Sequence, residues 1–535
     1  MYDLVIRKGL IIDGTGQAGF PGDVAVVGDR VAAMGDLGNQ TGKVEIDASG
    51  QVVCPGFIDL HSHSDIVLLA EPDAQPKVMQ GITTEVMGQD GYSMAPLRKE
   101  LIPEYRQSLS GLAGSPPVEW DWETMSDYLS RFDGSTSLNV VSMVGHGTVR
   151  MNVLGTGSTT ATQGDLNAMG EMIEQAFAEG ATDVSYGLIY VPSVFANREE
   201  LNYLGSLVQR LGGAVVYHIR NESDFVMESV EEVLQVARDT GVRTHISHLK
   251  VTGVGNWRKA DAVMSALGKA IDEGLDITFE QYPYTAGSTM MGAILPPWVL
   301  DGGTAEALKR ISDPALRPRI QHDVENGIGN WQSLGRVSGW NIVVSSVGSP
   351  RNQGKVGRSL LELARSSGTS PLEVAIRLLV EEEMNVSIII FHQSEDVVCQ
   401  MMAHPRGGFG TDGVPGNKPH PRLYGTFPRV LGHYVREAKV LRLEEAIRKS
   451  TSVAADRLRL ADRGRVAPGM AADLVVFDPN SVIDTATYEN PRQFPRGINW
   501  VLVNGTVVVE EGRHTGAHPG RSLKPSRVST DAEKG

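Results

Sequence analysis

The chain has 535 residues, with 49 lysines and arginines against 64 aspartates and glutamates, giving a formal net charge of -15. That balance excludes nucleic acid or an anionic membrane as the main partner, because both repel a negative surface. Only Cys54 and Cys399 carry thiols, so a disulfide framework and an all-cysteine zinc or iron–sulfur site, which needs about four thiolates, are also excluded.

The opening Tyr2-Asp-Leu-Val-Ile reads as a strand, with neither a signal peptide nor a run of ~20 apolar residues, so a soluble cytoplasmic protein is expected. Residues 1–54 are short β-rich runs broken by glycine, with hairpins expected around Gly9 and Gly28-Asp29. The same texture returns in 472–477 and 500–509, and the two ends are expected to complete one small β-sandwich (1–54 with 461–520), because isolated hairpins are marginal. Between them, candidate strands at 52–60, 82–87, 139–144, 182–188, 214–217, 243–247, 277–281 and 407–411 alternate with helical segments such as 166–179 and 230–240. This alternation predicts parallel βαβ units, and eight of them predict an α/β fold, a (β/α)8 TIM-like barrel. Strands one to seven occupy 55–289, and strand eight with its closing helices occupies 387–460. Residues 290–386 exceed one crossover and read as an inserted subdomain over the barrel mouth, including a helix begun by Ser370 and Pro371. Residues from Gly516 are polar and rich in glycine and proline, and 521–535 reads as a loose tail.

Candidate chemistry gathers at the C-terminal ends of these strands, where active sites of such barrels sit. His61-Ser-His63 closes strand one, and two residues on one strand face can converge on one ion. His218 ends strand five and His248 ends strand six. His245, three residues before His248, is expected to face the other side and to lie outside the site. His146 ends strand three in a glycine turn, where substrate contact and a structural role are both open. Asp412 closes strand eight. Imidazoles with a carboxylate suit Zn²⁺ or a similar divalent ion, which lowers the pKa of bound water toward 7 and polarises a carbonyl. A carboxylate touching that water is a general base, so hydrolysis of an amide-like bond is expected.

These residues, with Gly464-Arg-Val-Ala-Pro-Gly and the following Asp473-Leu-Val-Val-Phe, resemble the amidohydrolase superfamily. Gly81-Ile-Thr-Thr, Ser247-His-Leu-Lys250, Tyr282-Pro-Tyr-Thr-Ala-Gly-Ser-Thr289 and His420-Pro-Arg-Leu-Tyr-Gly bring it closer to the D-aminoacylases, the N-acyl-D-amino-acid deacylases. The resemblance implies a tight zinc on His218 and His248, a weaker one on His61 and His63, and Asp412 as general base. It also implies that a substrate carboxylate is held by Lys250, Tyr282, Ser288 and Arg422, which are donors or hydroxyls suited to an anion.

Two departures narrow the site. No lysine lies between Lys99 and Lys250, so the carboxylated lysine that joins two metals in many amidohydrolases is unavailable. Where D-aminoacylases use a cysteine after strand two, this chain has Asp90, a harder ligand that can bridge two cations through its two oxygens. The leading expectation is deacylation of an N-acyl-D-amino acid, a small carboxylate-bearing substrate. Hydrolysis of a cyclic amide or imide is the alternative, and a metal-free barrel scaffold the non-enzymatic one.

Overall fold

Eight short parallel strands form a ring: Phe57–Asp59, Ile82–Met87, Asn139–Ser142 continued by Val144–Gly145, Val184–Gly187, Ala214–His218, Arg243–Ile246, Ile277–Gln281 and Gly407–Phe409. They are seen in a computed structural model that describes residues 1–525. Each strand pairs in parallel with the next, the third being split at Met143 so that its first half joins strand two and its second half strand four. Between strands eight and one, the Leu60 amide donates to the Phe409 carbonyl at 3.2 Å and the Asp412 amide to the His61 carbonyl at 2.8 Å. The strands are almost wholly buried, as a ring jacketed by helices requires.

A buried ionic bolt reinforces this last seam. Lys77 Nζ donates to Asp59 Oδ2 (2.6 Å), Thr411 Oγ1 (2.7 Å) and Ser62 Oγ (3.0 Å), and lies 3.3 Å from Glu85 Oε2. Asp59 Oδ1 accepts the amides of His61 (3.2 Å) and Thr411 (2.7 Å). One lysine thus ties the ends of strands one, two and eight beneath the residues expected to do chemistry.

The crossover helices follow their sequence signals. Gln163–Glu179 opens on a reciprocal capping box between Thr162 and Asp165, and Val226–Thr240 closes on Gly241 in the left-handed region. Pro371–Glu381 starts where Ser370 accepts the Glu373 amide.

Strands from both chain ends hydrogen-bond into one nine-stranded sheet, in which Leu474–Phe477 pairs with Val52–Pro55. Gly28-Asp29 is a hairpin turn, but Gly9 is not: Tyr2–Ile11 runs on as one strand with a register shift between Ile6 and Gly9. The apolar pattern continues across Gly9, and a side chain there would meet Val53 Cγ2 at 2.4 Å. The glycine therefore marks a bulge and a close packing point.

Within the expected insertion, Ile342–Val347 pairs antiparallel with Val386–Phe391, which pairs in turn with Ala286–Met290. This small sheet uses both flanks of the insertion. The expected loose tail is corrected in part: Val140 donates to the Arg521 carbonyl (2.9 Å) and Leu523 to the Val140 carbonyl (2.8 Å), docking that segment on strand three. The remainder, 526–535, lies outside the described residues. Among the described residues no helix is long and apolar enough to cross a membrane.

Candidate active site

The C-terminal strand ends bring His61, His63, Asp90, His218, His248 and Asp412 together, all buried. Asp90 stands at the centre. Its Oδ1 lies 3.5 Å from His248 Nε2, 3.6 Å from His218 Nδ1 and 3.7 Å from His61 Nε2, and its Oδ2 lies 3.7 Å from His63 Nε2. Asp412 Oδ1 is 3.1 Å from His63 Nε2 and 3.8 Å from His61 Nε2. Donors about 2.1 Å from one cation in tetrahedral array stand roughly 3.4 Å apart, so these separations fit a shared divalent ion. His61 Nε2, Asp90 Oδ1 and both His218 ring nitrogens are buried without a hydrogen-bond partner. Buried polar atoms normally have one, and convergent orphans of this chemistry fit a metal. Two donor groups, Asp90 with His218 and His248, and Asp90 with His61 and His63, share the aspartate.

Local sequence sets this geometry. Asp90, His248 and Asp412 all have positive φ (55°, 36° and 47°), a conformation non-glycine residues hold only when their surroundings enforce it. For Asp90 the enforcement is visible. The Gly88 amide donates to Asp65 Oδ1 (2.8 Å), Gln89 Nε2 donates to the Leu60 carbonyl (2.8 Å), and the Gly91 amide donates to Ser185 Oγ (3.1 Å). A side chain at Gly187 would lie 2.0 Å from the Asp90 carbonyl oxygen, so strand four must carry glycine there.

A second layer holds the histidines. Glu280, on strand seven, takes His61 Nδ1 (2.8 Å) and the His248 amide (2.8 Å) on Oε1, and His245 Nε2 on Oε2. His61 is thereby turned with Nε2 toward Asp90. His245 stays outside the donor groups, but its expected facing is corrected: it meets Glu280 inside the barrel, because strand six ends at Ile246 and the turn at His248 breaks the alternation. His248 Nδ1 lies between Glu222 Oε1 (3.2 Å) and Lys250 Nζ (2.7 Å), which are themselves 2.6 Å apart. Burial opposes charge on Asp90, but His61 and His218 hold its carboxyl well below the usual range. Burial likewise opposes charge on Asp412, which Arg422 and His61 keep depressed. Both remain anionic.

Lys250, Tyr282, Ser288, Arg422 and Asp412 face one cavity of about 430 Å³, together with Leu112, Ile189, Leu334, Ile390 and His392. Arg422 is fully buried, with Nη1 2.8 Å from Asp412 Oδ2, Nη2 donating to the Ser288 carbonyl at 3.0 Å, and its guanidinium 4.4 Å from the Tyr282 ring centroid. Gln393 Nε2 donates to Tyr282 Oη (2.8 Å). A larger pocket of about 930 Å³ opens at the opposite barrel end, but three of its arginines pair with acids (Arg406 with Asp276, Arg448 with Glu445, Arg457 with Asp183), Arg243 donates to the Gly212 carbonyl, and among the described residues no metal-donor cluster lines it. His146 is not brought to the site: Nδ1 meets Ser193 Oγ (2.9 Å) and Nε2 meets Glu200 Oε1 (2.7 Å), all buried. Glu222, Glu280 and His392 escaped the sequence reading. Glu222 lies four residues after His218, and Glu280 is the charged residue of the strand Ile277–Gln281.

The amidohydrolase family model matches residues 44–323 and 356–509. The D-aminoacylase of Alcaligenes xylosoxydans xylosoxydans is 35% identical over 524 residues, covering 98% of this chain and 97% of the relative. A D-aminoacylase structure described for its binuclear metal centre superposes with a TM-score of 0.83 at 34% identity, covering 98% of this chain and 100% of that one. The N-acyl-D-glutamate deacylase of Bordetella bronchiseptica, complexed with zinc and a phosphonate mimic of the tetrahedral intermediate, superposes with a TM-score of 0.83 at 33% identity, covering 98% and 99%.

Proposed function

The chain belongs to the amidohydrolase family, and from that premise we propose that it is a zinc-dependent deacylase releasing a carboxylate and a free D-amino acid from N-acyl-D-amino acids. The observation that carries this reading is the convergence of orphaned His61, Asp90 and His218 donors on one point beside Asp412. His218, His248 and Asp90 would hold one divalent ion, and His61, His63 and Asp90 a second. A divalent ion held there lowers the pKa of a bound water and polarises a carbonyl oxygen.

The remaining roles belong to side chains. Asp412 is the base: Arg422 ties Oδ2 at 2.8 Å, leaving Oδ1 turned toward the histidine pair, where it takes the proton of the attacking water. The same carboxyl returns that proton to the leaving nitrogen as the carbon–nitrogen bond breaks. Lys250, Tyr282, Ser288 and Arg422 hold the substrate carboxylate, with Lys250 placed by Glu222 and Arg422 by Asp412. Holding the carboxylate at one end and the carbonyl at the other leaves the hydrogen and the side chain of the carbon between them to be told apart by the aliphatic wall of Leu112, Ile189, Leu334 and Ile390. A cytoplasmic location accords with two free cysteines and with no membrane-crossing helix among the described residues.

The test is a substrate panel of N-acetyl-D-amino acids, their L-enantiomers and hydantoins, assayed on purified protein before and after chelation. D-selective deacylation that disappears with the metal and returns with Zn²⁺ is expected. Hydrolysis of hydantoins alone, or of nothing with metal bound, overturns the reading.

A further inference from the structure

His392 follows the strand Val386–Phe391, which returns from the insertion to the barrel mouth. Its backbone is pinned there: the carbonyl accepts the Gly253 amide at 2.7 Å and Trp257 Nε1 at 3.2 Å. The side chain is 92% buried, yet neither ring nitrogen has a hydrogen-bond partner among the described residues. It faces the cavity that holds Lys250, Tyr282, Ser288 and Arg422. Burial, with Lys250 and Arg422 nearby and only Glu222 opposing, keeps the imidazole neutral, its pKa pushed down to about 3. A neutral imidazole carries one N–H donor and one acceptor.

Gly287 supplies the second observation. A side-chain carbon built on it would stand 3.1 Å from His392 Nε2 and 3.2 Å from Tyr282 Oη, so the missing side chain leaves a niche flanked by two polar atoms. A buried niche with an unsatisfied imidazole on one side and a phenol on the other matches a polar ligand atom. The two neighbouring cations make that atom anionic.

We propose that His392 is a further substrate-binding residue, donating from its ring N–H to a carboxylate oxygen of the N-acyl-D-amino acid seated over Gly287 opposite Tyr282. This rests on the deacylase reading and adds a residue to it. Being neutral, His392 contributes direction, and Lys250 and Arg422 contribute charge. The same niche explains why the small sheet places glycine directly before Ser288.

The test is steady-state kinetics of His392→Ala, His392→Gln and Gly287→Ala on an N-acetyl-D-amino acid and on its carboxamide, which lacks the anionic oxygen. A hydrogen bond to a charged group corresponds to roughly a 10- to 100-fold rise in KM when it is removed. His392→Ala is expected to show that rise with kcat within a few-fold and metal content unchanged, the near-isosteric His392→Gln to recover part of it, and Gly287→Ala to reproduce it by filling the niche. The carboxamide is expected to lose little with any variant. An unchanged KM for His392→Ala, or equal losses on both substrates, overturns the proposal while leaving the deacylase reading intact. If His392→Ala fails to fold, an unchanged KM in both His392→Gln and Gly287→Ala does the same. Wild-type protein inactive on every N-acyl-D-amino acid overturns both.

Discussion

Asp90 concentrates the chemistry of the site in one residue. Its Oδ1 meets three histidines and its Oδ2 a fourth, so two of the three donor groups depend on it. Removing it as Asp90→Ala leaves four buried imidazoles without their shared anion, and the metal-to-protein ratio is expected to fall with a loss of at least ~100-fold in kcat, as for a directly ligating group. Asp90→Cys tests the substitution from the other side. The smaller, softer thiolate is expected to retain zinc and, with Co²⁺ loaded, to give a near-ultraviolet thiolate-to-metal band that the wild type lacks. Full metal content and activity in Asp90→Ala would remove Asp90 from the site.

At the scale of the element, the turn after strand two is set by its neighbours as much as by its own residues. Gly187 belongs to strand four, yet its lack of a side chain leaves room for the Asp90 carbonyl. Gly187→Ala forces a contact of 2.0 Å that neither backbone can absorb without moving. Overpacking of this kind destabilises by about 1–3 kcal/mol. The expected signature is a modest drop in the thermal midpoint with a much larger loss of bound metal, measured on the same preparation; a fall in the midpoint with metal affinity preserved would show that the turn tolerates the shift. The turn also marks where the sequence is legible. His61, His63, His218 and His248 announce themselves because each closes an apolar run, and strand ends of a barrel converge. Glu280 meets His61, and Glu222 meets His248, across the barrel interior, and no spacing along the chain encodes those contacts; only the four residues from His218 to Glu222 are visible in sequence. The facing of His245 departs from expectation for a related reason: alternation counts faces only within a strand, and strand six stops at Ile246 before the left-handed turn at His248. Gly9 shows the same limit, since a glycine inside a β pattern marks a turn or a bulge, and the packing of Val53 decides which.

At the scale of the molecule, the cavity is built jointly by the barrel ends and the small sheet of the insertion, and its charges are nearly matched before substrate arrives. Lys250 meets Glu222 at 2.6 Å and Arg422 meets Asp412 at 2.8 Å. These two cations, with Tyr282, Ser288 and His392, make one anion-binding end. Around it stand Leu112, Ile189, Leu334 and Ile390, and among the described residues no further lysine or arginine lines the cavity. An N-acyl-D-amino acid brings one carboxylate, which that end accommodates. A D-glutamate or D-aspartate substrate brings a second, which would lose its hydration against aliphatic side chains with no cation to receive it. Burying an unpaired charge costs several kcal/mol or more, whereas an apolar side chain gains roughly 25 cal/mol for each Å² removed from water. The N-acetyl derivatives of D-leucine and D-methionine are therefore expected to exceed those of D-glutamate and D-aspartate by at least ~100-fold in kcat/KM, unlike the Bordetella bronchiseptica relative named for N-acyl-D-glutamate. Competition kinetics on mixed substrates measure the ratio directly. Parity between leucine and glutamate would mean that Lys250 or Arg422 leaves its acidic partner when substrate binds, and the cavity would then have to be read as carrying a free cation.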